Sequence, residues 1–168
     1  MHLTRRMTTI PLPTGRVRWV AAEALIALER AALPHLRKSQ AASVLTVTSY
    51  AVKQAIPNLV LSNSLRLAVT GLVKSLADEL GPDGIRVNAI CPGSTRTDRI
   101  EQLLADRAER AGTTIEEQAR KMAAEIPLGR IGQPEEFGRV AAFLSSPAAS
   151  FVNGVSLLVD GGAYRGSM

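Results

Sequence analysis

The sequence predicts an α/β fold, a parallel sheet of about three strands layered between helices. Three observations carry that expectation. "SVLTVT" (43–48), "IRVNAI" (85–90) and "VSLLVD" (155–160) are short runs rich in β-branched and apolar residues, as strands require. The segments between them place apolar residues at helical spacing. Strands that alternate with helices imply parallel pairing through right-handed crossovers.

The elements follow in order. Residues 1–16 show no clear period and read as an irregular arm, with residues 17–168 forming the domain. From Trp19 to Leu36 the spacing of Ala24, Leu25, Leu28 and Ala32 fits an amphipathic helix. The first strand, 43–48, is followed by "SYAVKQAIP", where Tyr50 and Lys53 lie on a stretch running into a proline and not expected to be helical. Asn58 is the expected cap of a long helix, about 59–80, ended by Gly81-Pro82. The second strand, 85–90, is expected to stop at Pro92-Gly93. Residues 98–125 are charged and alanine-rich and read as one or two mobile helices. Pro134-Glu135-Glu136 opens a helix through Leu144, with proline in the first turn and acids at the positive helix end. The third strand, 155–160, closes at Gly161-Gly162.

Composition narrows the function classes. At 168 residues the chain suits one domain with a sizeable core, and 46% hydrophobic with 21% charged residues is ordinary for a soluble protein. The single cysteine, Cys91, allows no internal disulfide and suits a reducing, cytoplasmic setting. Arg5-Arg6 is followed by Pro11 and Pro13 rather than by an export signal's apolar core, and no run is long and apolar enough for a membrane span. The net charge of +5 sits mainly in the first 22 residues, which hold four arginines and no acid. The remainder carries 16 basic and 15 acidic groups, so no basic face for nucleic acid is expected. His2 and His35 lack partners at metal-ligand spacing, and no metal site is proposed.

The ordered series "LTVTS" (45–49), "GLVKSLADELGPDGIRVNAICPGSTRTD" (71–98), "PLGRIGQPEEFGRVAAFLSSPAASFVNG" (127–154) and "LLVDGG" (158–162) resembles the C-terminal half of the short-chain dehydrogenase/reductase family. Its 3-oxoacyl-acyl-carrier-protein-reductase-like members are the most similar. The resemblance implies a partial Rossmann-like three-layer fold and NAD- or NADP-dependent reduction of a small-molecule carbonyl, or oxidation of a secondary alcohol. It also implies a homo-oligomer. The glycine-rich turn that seats a dinucleotide pyrophosphate on a helix N-terminus occurs nowhere in the sequence. The chain therefore reads as a family member lacking its first half. A non-catalytic interaction subunit and a non-functional gene fragment stay open beside the oxidoreductase reading.

The resemblance also assigns positions. The family's serine polarises the substrate carbonyl, a tyrosine thirteen residues on transfers the proton, and a lysine four further holds the ribose and lowers the tyrosine pKa. Counting from Ser49, these last two positions are Ser62 and Arg66, and "GLVKSLA" fixes the register without a gap. An aliphatic hydroxyl is a far weaker acid than a phenol, and a guanidinium relays no proton near neutrality. Ser49, Ser62 and Arg66 are thus the catalytic positions, with impaired chemistry expected. Tyr50 is a rescue candidate beside Ser49. On the cofactor side the resemblance points to Pro92, Gly93, Thr95 and Thr97, with Thr97 at the position that meets the nicotinamide carboxamide. Cys91 is expected to be a buried small apolar residue rather than a nucleophile.

Overall fold

The central strand explains the architecture. In the computed structural model, which describes residues 20–167, with side chains from Leu25 onward, Val87, Asn88, Ala89, Ile90 and Cys91 are all fully buried. A strand without a solvent face must have a neighbour on each edge and a layer on each side. Both are present. Strand β2 (Arg86–Pro92) pairs in parallel with β1 (Ser43–Val47) on one edge and β3 (Ser156–Val159) on the other. The sheet order is β1-β2-β3.

One layer is made by helices α1 (Val20–Leu36) and α2 (Val60–Leu80). On α2, Val69, Val73, Leu76, Ala77 and Leu80 repeat at three- and four-residue spacing and form one stripe. That stripe meets Val87 and Ala89 of β2, with Leu25, Leu33 and Leu36 of α1 packed alongside. Across the sheet lies α5 (Pro134–Ser145). Arg86 fixes its end: Nη1 donates to the Leu144 carbonyl at 2.7 Å and Nη2 to that of Ser146 at 3.1 Å, satisfying carbonyls that the last helical turn leaves free. Two buried or bridging amides tie down the approach to β3. Asn88 donates to the Val152 carbonyl and accepts from the Val155 N–H, while Asn153 accepts from the Val87 N–H and donates to the Ala77 carbonyl.

The segment 98–125, expected to hold one or two helices, forms two, α3 (Asp98–Ala111) and α4 (Ile115–Ala124), broken at Gly112 with φ 61° and packed together through Leu104 and Met122. Other boundaries depart from expectation. Strand β2 runs through Pro92 because proline loses only a donor and the residue lies at the strand's last pairing position. Asn58 does not cap α2. It takes a left-handed φ of 63°, the cap position belongs to Leu59, and the helix has no side-chain cap there. The amide that organises this entry is Asn63, which both accepts from and donates to the backbone of Ile56. Tyr50–Val52 forms a single 3₁₀ turn where no helix was expected. The expected arm at 1–16 lies outside the described residues.

Candidate functional site

The carboxyl ends of β1 and β2 lie side by side, with the Thr48 N–H donating to the Ile90 carbonyl at 2.9 Å. This is the end of a parallel α/β sheet where ligands bind. Ser49, Ser62 and Arg66 gather on the β1 side of it, and residues 92–97 lie beyond β2.

Arg66 is the hub of the first group. Its Nη1 donates to the Thr48 carbonyl at 2.7 Å, and its Nε donates to Ser62 Oγ at 3.1 Å. Both residues are partly buried. The four-residue spacing on α2 places them on one helix face, as the sequence implied. The Thr48 carbonyl ends β1, and the guanidinium supplies its hydrogen bond. Ser49 follows directly, in extended backbone, with its Oγ accepting from the Ala51 N–H at 3.2 Å and capping the 3₁₀ turn. All three positions are therefore engaged in backbone or helix-face bonds. Thr48 also joins its hydroxyl to Cys91 Sγ at 3.1 Å. Burial pushes the Cys91 thiol up, away from the thiolate that a nucleophile needs.

Between α1, the outer edge of β1 and α2 is a cleft of about 460 Å³. Leu25 and Leu28 of α1 form one wall, Leu65 and Val69 of α2 the other, and Ser62 and Arg66 one end. Thr46 Oγ1 is buried near its floor with no hydrogen-bond partner among the described residues. The cleft walls come from two helices distant in sequence and were not foreseen; the alternation Thr46-Val47-Thr48 is a local hint of a polar floor.

Tyr50 does not line this cleft. Its phenol is pushed up by burial first and then by the charge of Glu125, with Arg107 opposing and Asp160 adding to the rise.

The second group is a tight loop. Gly93 donates its N–H to the Val159 carbonyl at 3.0 Å, and a Cβ there would stand 2.7 Å from Asp160 Cβ, so only glycine fits. Thr95 pairs with Gly132 in an isolated parallel bridge. Thr97 occupies the cap position of α3, yet its hydroxyl caps nothing and the residue is exposed. Beside this loop is a smaller cavity of about 110 Å³, below the roughly 300 Å³ of usual small-molecule sites. Its rim is closed by a bidentate pair, Arg130 Nη1 and Nη2 with the two Glu136 oxygens at 2.7 and 2.6 Å. The Arg130 hydrogen bonds and the Gln133 N–H hold the Glu136 carboxyl down at about 2.

A profile for the family described as enoyl-(acyl carrier protein) reductase matches residues 15–164. The chain belongs to the short-chain dehydrogenase/reductase family. It is 35% identical over 138 residues to 7alpha-hydroxysteroid dehydrogenase of Escherichia coli K12, covering 82% of this chain and 50% of that protein. A tropinone reductase homolog of Arabidopsis thaliana is 35% identical over 140 residues, covering 83% and 41%. A solved short chain oxidoreductase from Pseudomonas aeruginosa PAO1, described as containing an atypical catalytic center, superposes with a TM-score of 0.78 at 31% identity, covering 92% of this chain and 61% of that one. The chain spans about half the length of the curated relatives it matches.

Two solved relatives are described as an NADPH dependent reductase and as an NADPH-bound short chain oxidoreductase. The 92–97 loop fits one end of such a dinucleotide. Gly93 lets the backbone turn closely, and the Thr97 hydroxyl is exposed and caps nothing. The described residues hold no glycine-rich turn for the pyrophosphate, and Ser62 with Arg66 does not reproduce a phenol beside an ammonium. No hydride or proton step is derived from these residues.

Proposed function

We propose that this chain is the carboxyl-side part of a short-chain dehydrogenase/reductase in which the proton-transfer positions hold structure instead of chemistry. The observation that carries this reading is the Arg66 guanidinium, spanning Ser62 Oγ and the Thr48 carbonyl. A general acid needs a proton it can release near neutral pH in reach of substrate. Neither an alkyl hydroxyl nor a guanidinium offers one, and Ser49 is spent on a turn cap. As a 168-residue protein the chain thus acts as a non-catalytic member of an NAD(P)-dependent family whose substrates are small carbonyls and alcohols. The free, buried Cys91 suits a cytoplasmic setting.

Self-association is part of the same proposal. The bonds of Ala42 and Thr48 to β2 turn the backbone groups of even-numbered β1 residues inward, so those of Ser43, Leu45 and Val47 face an open edge. Val47, Val60, Leu61 and Leu67 are exposed apolar residues on that edge and on α2. The reading is tested by calorimetric titration with NADH and NADPH. Binding weaker than about 1 mM is expected, and micromolar affinity for either would overturn it.

A further inference from the structure

Asn153 and Gly154 form the chain's one asparagine–glycine pair; Asn58, Asn63 and Asn88 all precede residues with side chains. An asparagine before glycine is chemically labile, because no Cβ shields the following backbone nitrogen from the side-chain amide carbon. Here the fold itself requires that glycine. Gly154 has φ 70°, and a Cβ on it would stand 3.3 Å from Ala77 Cβ and 3.0 Å from Lys74 Nζ. The same fold ties up both reacting groups. Asn153 Oδ1 accepts from the Val87 N–H at 2.8 Å, and its Nδ2 donates to the Ala77 carbonyl at 3.0 Å. The Gly154 N–H, whose nitrogen is the nucleophile, donates to the Val87 carbonyl at 2.9 Å. Val87 is fully buried in β2, so the pair reacts only after the junction between β2 and the approach to β3 has parted. Asn88 holds both flanks of the pair, bonding the Val152 carbonyl and the Val155 N–H. This junction lies at the amino ends of the strands, away from Ser62 and Arg66.

We propose that Asn153-Gly154 is a self-modification site, locked by the closed β2–β3 junction and released when that junction opens. On opening, the Gly154 nitrogen gives up its proton and attacks Asn153 Cγ. The new N–Cγ bond closes a succinimide, the Cγ–Nδ2 bond breaks, and Nδ2 leaves as ammonia with that proton. Water then opens the ring at either carbonyl, leaving aspartate or isoaspartate. Water is consumed, ammonia is released and nothing is oxidised or reduced. Either product fits the closed junction poorly. Aspartate sets an oxygen against the Ala77 carbonyl where Nδ2 had donated, so two acceptors face each other. Isoaspartate lengthens the main chain by a methylene just before Val155, whose carbonyl accepts from the Ala89 N–H at 2.8 Å. Modification therefore favours further opening and runs one way.

The test incubates the full chain and a synthetic peptide of residues 140–165 side by side at mildly alkaline pH. Trypsin releases the same peptide from the protein by cleavage after Arg139 and Arg165, and Asn153 is the only side-chain amide in it. Mass spectrometry of that peptide then reads the conversion of amide to acid at this one position. The full chain is expected to convert at least about tenfold more slowly than the free peptide, because conversion waits on local opening. Asn88→Ala, which frees both flanks, should speed conversion in the full chain by about tenfold or more. Asn153→Asp, a copy of one product, should lower the urea midpoint of unfolding by about 0.5 M or more. Protection of less than about tenfold in the parent chain would overturn the proposal, whatever the variants do. A folded Asn88→Ala protein that converts at the parent's rate would overturn the assignment of the lock to this junction. An Asn153→Asp protein that unfolds at the parent's midpoint would overturn its one-way character.

Discussion

Replacing Arg66 by alanine removes the bond that closes the end of β1. The Nη1 contact to the Thr48 carbonyl is short at 2.7 Å and charge-assisted, a class of bond worth about 1.5–3 kcal/mol. The Nε bond to Ser62 at 3.1 Å is longer and adds less. Arg66 is only partly buried, so water replaces some of what is lost and the lower part of the range applies. A loss of about 2 kcal/mol is expected. Ser62→Ala, which removes only the weaker bond, should cost about 0.5–1 kcal/mol. Urea unfolding at pH 7 measures both. With a urea dependence of about 1–3 kcal/mol per molar, Arg66→Ala should lower the midpoint by about 1 M without changing the slope. Arg66→Lys should fall between, because one ammonium does not offer the planar fork that reaches both acceptors. If Arg66→Ala is within about 0.5 kcal/mol of the parent, the guanidinium is not holding the strand end and the structural account of this position is wrong.

Three further outcomes are expected. Asn88→Ala removes a fully buried amide and leaves the part-buried Val152 carbonyl and Val155 N–H without it, which should cost about 2–4 kcal/mol, read as a fall in melting temperature of roughly 5–15 °C; an unchanged melt would refute the stitching role. Glu29, with both oxygens buried and unbonded among the described residues, keeps its proton in the folded chain up to about pH 7, whereas the unfolded chain releases it near 4.5. Stability should therefore fall as pH rises from about 4.5 to about 7, and Glu29→Gln should remove that fall and be the more stable protein at pH 8; parallel pH profiles for the two would contradict the burial of this carboxyl. Light scattering at micromolar concentration should give a dimer or larger species, and a clean 17.9 kDa monomer would show that the β1 edge and the exposed α2 residues are covered within one chain.

The fold was legible where side-chain pattern and burial agree. β2 reads as a strand because a run such as Val87-Asn88-Ala89-Ile90 has no solvent face to satisfy, and α2 because its apolar stripe, Val69 to Leu80, repeats over about three turns. Asn58 misled because an asparagine before an apolar run has two local uses, capping a helix or tolerating a left-handed φ, and composition does not distinguish them. The positions of Ser62 and Arg66 were legible from the family resemblance and its register from Ser49. What they bond to was not, since Thr48 lies 18 residues from Arg66 and the contact exists only once α2 packs on the sheet. The cleft was invisible for the same reason: its walls come from α1 and α2.

The central claim is that Ser62 and Arg66 hold the end of β1 rather than move a proton. Steady-state oxidation of NADPH with a panel of β-keto esters and simple ketones tests it most directly, using the 168-residue chain, its Ser62→Ala variant and the Ser62→Tyr/Arg66→Lys double variant. All three are expected to match the rate without protein. Turnover by the parent chain that Ser62→Ala abolishes would contradict the claim, because it would make that hydroxyl the working acid.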